Sequence, residues 1–189
     1  MGSNNQITSD GTWTYNYNAD GDLISQTGSG GSILYAWDNL DRLTGITWEN
    51  SAGTTTQTAE YTYNQQNRRI GKVITSYSGG VGTVTVNEQY LYDQNGNLIA
   101  TLNGATGQVE QRFLTGLGQN QILAQENAAG GSAAGPVLWA LTNNVGSVTA
   151  VVDNGAGHAI LDSIVYDSFG TPDAMLRPTP YPPDPKWED

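Results

Sequence analysis

From Gly11 to Tyr17 the chain alternates strictly, with Trp13, Tyr15 and Tyr17 on one parity and Thr12, Thr14 and Asn16 on the other. A period of two places the aromatics on one face of a β-strand. Asp20-Gly21 then supplies a turn, Leu23 to Thr27 a returning strand, and Gly28 to Gly31 a flexible reversal into the next unit. Ile33, Tyr35 and Trp37 repeat the alternation, with Asp38 to Arg42 as turn and Leu43 to Trp48 as return. The turn glycine is missing there, and Leu40 is expected to fold back onto the strands. Ser51 to Thr56 reads as a polar link. Glu60 to Tyr63 and Arg69 to Tyr77 form the third pair, in which Ile70, Val73 and Ile74 share a face only if a bulge intervenes. Ser78 to Gly82 is a loop leading through Val84 and Val86 to Tyr90 and Tyr92.

The clearest unit is Tyr90-Leu91-Tyr92-Asp93-Gln94-Asn95-Gly96-Asn97-Leu98-Ile99. Its aspartate can accept from the amides of its own turn, and its glycine can take positive φ. Earlier copies begin at Tyr15, Tyr35 and Tyr61, separated from one another and from Tyr90 by 20, 26 and 29 residues. A fixed turn with a drifting interval predicts hairpins joined by connections of variable length. Beyond Tyr92, Leu98 to Leu102 return to a tight turn at Asn103-Gly104, and Val109, Gln111 and Phe113 open the next strand. Asn127 to Gly135 is the best internal candidate for a mobile loop. Val137 to Leu141 and Thr149 to Val152 are strands, the second ending at the turn Asp153-Asn154-Gly155, and Tyr166-Asp167-Ser168-Phe169-Gly170 is a degenerate last copy.

Composition agrees with many short strands: 24 glycines, ten tyrosines and five tryptophans in 189 residues, with only 13% of residues charged. The net charge of -11 repels phosphate backbones and excludes nucleic acid as the natural partner. The absence of cysteine excludes disulfides, thiolate metal sites and a cysteine nucleophile. No apolar run is long enough for a membrane-spanning helix.

No constellation points to catalysis. The sole histidine, His158, sits near a polar turn without a serine or cysteine in a nucleophile-elbow setting. Asp20, Asp22, Asp38, Asp41 and Asp93 occupy repeated turn positions, which suits structure better than a pair of glycosidase carboxylates. Asp20-Gly21-Asp22 lacks the twelve-residue ligand pattern of a calcium loop, and no glycine cluster is placed to cradle phosphate. No cofactor and no metal is therefore expected. Trp13, Trp37, Trp48 and Trp139 are the candidate ligand-binding residues, as a platform for a surface glycan or a protein, with packing between repeats as the competing role.

The four tyrosine units, Val145-Gly146-Ser147-Val148 and Tyr166 to Gly170 together resemble the RHS/YD-repeat family, which includes bacterial Rhs proteins, toxin-complex shell components and the teneurins. The resemblance covers most of residues 13–170. Tyr15, Tyr17, Gly21, Tyr35, Trp37, Asp38, Tyr61, Tyr63, Tyr90, Tyr92, Asp93, Gly96, Gly146, Tyr166, Asp167 and Gly170 stand at its repeat positions. It implies an all-β fold, a twisted or spiralling antiparallel sheet of hairpins, that in full-length members wraps into a hollow shell around a toxin or other cargo. Two departures stand out. Leu141-Thr142-Asn143-Asn144 replaces the family's usual histidine and aspartate, and a proline-rich tail follows where a further core segment and a self-cleaving end are expected.

The expected organisation is an artificial start and flexible lead over residues 1–10, a repeat domain over 11–170 and a tail over 171–189. The expected role is a non-enzymatic structural repeat segment of a toxin-encapsulating shell or cell-surface protein, secreted or displayed at the cell surface. The alternative is a carbohydrate- or protein-binding module using exposed Trp and Tyr. Its partners would be the rest of a larger repeat protein or a toxin cargo, with self-association through open sheet edges.

Overall fold

The computed structural model describes residues 6–118, 121–129, 133–155, 159–167 and 170–175. Among these every regular element is a strand, so the expected all-β antiparallel fold is met. Among the described residues no helix is long and apolar enough to cross a membrane. The chain divides into two compact units, residues 1–89 and 90–189.

The first unit contains β1 (Thr14–Tyr17), β2 (Leu23–Gly28), β3 (Gly31–Trp37), β4 (Leu43–Asn50), β5 (Thr55–Tyr63), β6 (Arg69–Ser78) and most of β7 (Val81–Tyr92). Each strand pairs antiparallel with the next in sequence. Alternation then aligns side chains in transverse rows, of which Tyr35, Ile46, Ala59, Ile74 and Val86 form one and Ile33, Trp48 and Gln57 another. In the third pair the register shifts between Thr62 and Tyr63, which pair with Gly71 and Arg69 and leave Ile70 as the extra residue.

The second unit begins with Tyr90 to Tyr92 and continues through β8 (Leu98–Asn103), β9 (Val109–Thr115), β10 (Ile122–Ala129), β11 (Ala133–Thr142), β12 (Val148–Asp153), β13 (Ile160–Tyr166) and β14 (Pro172–Met175). From β8 to β14 these again pair in chain order, all antiparallel. Amides fill part of one face: Gln125 and Gln111 both donate to the Asn127 side-chain oxygen, at 3.0 and 3.4 Å.

Among the described residues the covered apolar side chains are small, namely Ala59, Ala100, Ala124 and Ala128, and Asn97, Thr101 and Gln125 are covered with them. No large side chain among the described residues is less than 2% exposed. The aromatics at the repeat positions are half-buried, shielded by cross-strand neighbours.

Several local expectations change. Leu40 does not fold back; it is 60% exposed, because the Leu40 amide donates to the Asp38 carboxylate and the loop tip turns outward. Gly28 to Gly31 is a tight turn in register rather than a flexible one, with Gly28 paired to Gly31. The link after Trp48 is a compact loop at Asn50, and β5 starts at Thr55. At Asn103-Gly104 the left-handed residue is Gly107, whose amide reaches the Asn103 carbonyl at 2.7 Å, so the loop is longer than a two-residue turn. β10 and β11 extend into the stretch expected to be a mobile loop, pairing Ala129 with Ala133. His158 and the tail from residue 176, with Tyr181 and Trp187, lie outside the described residues.

Candidate functional site

The repeated feature is a five-residue loop with one geometry. At Asp93 the amide donates to the Asn97 carbonyl (2.9 Å), the Gly96 amide to the Asp93 carbonyl (3.1 Å) and the Asn97 amide to the Asp93 carboxylate (2.8 Å). Gly96 has φ 91°. The side chain thus satisfies an amide that the reversal leaves without a ladder partner. The same set recurs at Asn18, Asp38, Asn64, Asn143 and Asp167. The left-handed residue three positions on is Gly21, Asp41, Asn67, Gly146 or Gly170, and where glycine is absent only Asp or Asn stands in. Asp38, Asp93 and Asp167 are caps of these loops, and Gly21, Gly96, Gly146 and Gly170 are their left-handed residues.

Sequence reasoning named the aspartates and passed over Asn18, Asn64 and Asn143, which do the same work. It also missed a further loop at Asn50, whose side chain accepts from the Ala52 and Thr54 amides while Gly53 takes φ 73°. The readable signal was Asn or Asp followed three residues later by Gly, Asn or Asp.

The residue before each cap closes the hairpin after a register shift: Tyr17 opposite Leu23, Trp37 opposite Leu43, Tyr63 opposite Arg69, Thr142 opposite Val148 and Tyr166 opposite Pro172. From this position the aromatic reaches back across the sheet. Trp37 Nε1 donates to the Leu23 carbonyl, the Tyr63 hydroxyl to Leu43 and the Tyr166 hydroxyl to Val148, each at 2.8 Å. In all three the acceptor lies five residues after the cap of the preceding loop on that edge. The Tyr17 hydroxyl makes the corresponding bond to Ile7, 3.0 Å away in the lead. This aromatic is therefore a staple between repeats, and Phe cannot make it.

Arg42 joins two neighbouring loops. Its guanidinium holds Asp38 at 2.7 Å, donates to the Asn64 carbonyl at 3.2 Å and the Asn67 side chain at 3.0 Å, and lies 4.9 Å from the Tyr63 ring centre. The Arg42 hydrogen bond holds the Asp38 carboxyl below the usual carboxylate range, and bonds from Asn97 do the same at Asp93. A carboxyl depressed in the folded state stabilises it above the ordinary value near 3.9, and that contribution is lost as pH falls through the folded value. Arg42→Met is expected to lower the thermal midpoint at neutral pH, and the gap from the parent protein should narrow below about pH 4. Thermal melts across that range check this; an unchanged gap down to strong acid would mean that the Asp38 pair contributes nothing.

Among the candidate binding tryptophans, Trp13, Trp37 and Trp48 are half-buried, whereas Trp139 is 40% exposed. The loops also bring Asp20, Asp22 and Asp41 together, with one oxygen of each within 4.8 Å of the others. Asp22 is already held by the Asn18 amide at 2.8 Å, and nothing further in the geometry calls for an ion there.

Residues 17–50 match the family model for the RHS repeat, from the first staple Tyr17 to the Asn50 cap. Those residues carry an RHS repeat. Among solved structures the chain is similar to a crystal structure of TcdB2-TccC3, at 15% identity and TM-score 0.41 over 82% of its length. It is likewise similar to the Photorhabdus luminescens Tc holotoxin pore carrying TccC3-D651A, at 16% identity and TM-score 0.40 over 82%. It spans 10% of each of those chains. A comparison with curated proteins finds no match.

Proposed function

We propose that the chain is a non-enzymatic structural repeat segment of a larger shell-forming or cell-surface protein that acts outside the cell, with the rest of that protein or a toxin cargo as its partner. The staple supports this reading most. Each repeat is tied to the one before it through a main-chain carbonyl, so the sheet extends without depending on a closed hydrophobic core. Open edges serve the same purpose: the lead already pairs with β1 through the Thr8 carbonyl and Tyr15 amide at 3.0 Å, as a preceding strand would. Self-association through such an edge follows from the same reading.

A second reading, a glycan- or protein-binding module, is favoured by one observation, the exposure of Trp139. A glycan-array screen of the purified chain with Trp139→Ala separates the two. No specific binding by the folded protein is expected. Binding that disappears in a folded Trp139→Ala variant would replace the structural reading with the binding one.

A further inference from the structure

One face of the second unit exposes apolar side chains that neither the loops nor the staples use. Leu114 pairs with Ala124, Ala124 with Trp139, Trp139 with Val152 and Val152 with Ile160, so five apolar residues form one transverse row from β9 to β13. Leu114, Trp139 and Ile160 are 51%, 40% and 54% exposed. Leu141 and Val165 lie on the same face by alternation and are exposed as well. A contiguous apolar patch of this kind marks an interaction surface, and the charge around it selects the partner.

The surroundings are acidic. Glu126 stands in the neighbouring row between Arg112 and Val137, and Glu110 is exposed on β9. Asp153 and Asp167 lie in the loops that follow β12 and β13, at opposite ends of the face. Arg112, the sole basic residue among the described residues of this unit, is bound to Glu126 at 3.0 Å. A second copy would bring the same carboxylates against these, and an anionic lipid surface would be repelled likewise. A partner that presents apolar residues flanked by cations meets both the row and its rim.

We propose that this face docks a basic amphipathic helix of a partner polypeptide. In this it deepens the structural reading, on which it rests; the glycan screen tests that reading by itself. A sheet face has no free ladder groups to offer, so its occupant must satisfy its own main chain, as a helix does. Four strand intervals separate β9 from β13, about 19 Å, which a helix covers in about 13 residues. One helical turn advances about 5.4 Å against about 4.8 Å between strands, so an apolar residue on each turn finds a row member beneath it. Trp139 stands at the middle of the row and offers the largest contact. Cations on the flanks of the helix lie toward Glu110 and Glu126 on one side and Asp167 on the other.

The full chain would be titrated against a fluorescein-labelled peptide of about 14 residues, with leucines on one helical face and lysines on the other, and read by anisotropy. A second peptide replaces each lysine by glutamate. Circular dichroism confirms that every protein variant folds. Trp139→Ser and Ile160→Ser are each expected to weaken binding of the lysine peptide about tenfold or more, while Val84→Ser, at an exposed apolar site of the first unit, leaves it unchanged. The glutamate peptide should bind at least about tenfold more weakly than the lysine one. No binding, equal binding of the two peptides, or binding that Trp139→Ser and Ile160→Ser leave intact would overturn the proposal, as would a loss shared by Val84→Ser. So would capture of phosphatidylserine vesicles, or a dimer of the full chain in sedimentation runs that Trp139→Ser abolishes, since lipid or a second copy would then be the occupant.

Discussion

Gly31→Ala is expected to destabilise the first unit by about 3 kcal/mol or more. Two costs combine at this position. Gly31 has φ 141°, where L-residues are strained, and it is buried against β4 with Asn50 as its register partner. A Cβ there would overlap the Glu49 carbonyl oxygen and lie 2.8 Å from the Asn50 carbonyl carbon. Both atoms belong to the main chain, and the Asn50 loop fixes them through four hydrogen bonds at its cap, one donated and three accepted by Asn50, so neither moves aside cheaply. Gly30→Ala is the control, because nothing lies within 4 Å of a Cβ at Gly30. Chemical denaturation of the two variants checks the contrast; a Gly31→Ala protein as stable as Gly30→Ala would mean that β4 relaxes away from the turn.

Gly31 also marks where sequence reasoning stops. The alternation of Tyr35 and Trp37 fixed the face of β3, and the turn signals placed most hairpins, because both are local properties of a few consecutive residues. Gly28 to Gly31 looked like a flexible reversal since nothing local says that the carbonyl of Glu49 will approach. That approach depends on the loop at Asn50, which was read as a polar link for want of a tyrosine before it. Gly135 repeats the lesson: placed in a mobile stretch by its Ala/Gly/Ser neighbours, it is a strand residue whose Cβ would overlap the Asn127 carbonyl oxygen.

The site was legible in outline for a similar reason. Asp38 and Asp93 were recognisable as turn caps because the amides that donate to their carboxylates are two to four residues away. The staple was not, because the carbonyls of Leu23 and Leu43 lie 14 and 20 residues from Trp37 and Tyr63. One clue was present: the residue before the cap is Tyr or Trp at Tyr17, Trp37, Tyr63, Tyr92 and Tyr166, and never Phe. A position that needs only apolar area would accept Phe, so the use of Tyr or Trp wherever this residue is aromatic signals a donor with a fixed acceptor.

Trp37→Ala is expected to cost about 3 kcal/mol, the larger part from apolar area and the rest from the hydrogen bond. The ring is half-buried among cross-strand neighbours, so the loss falls short of that for a fully enclosed tryptophan, and no sealed cavity is left. Trp37→Phe separates the two contributions. It retains most of the aromatic contact while removing Nε1, and the Leu23 carbonyl loses a 2.8 Å donor in a partly covered position, worth about 1 kcal/mol. Tyr63→Phe should cost a similar amount for the same reason, since its hydroxyl serves the Leu43 carbonyl at 2.8 Å. Tyr77→Phe is the reference, because Tyr77 does not occupy the position before a cap. Equilibrium unfolding of the four variants tests the staple directly. If Trp37→Phe and Tyr63→Phe match Tyr77→Phe, the aromatics act through area alone, and the link between repeats is carried by the strand ladder and Arg42.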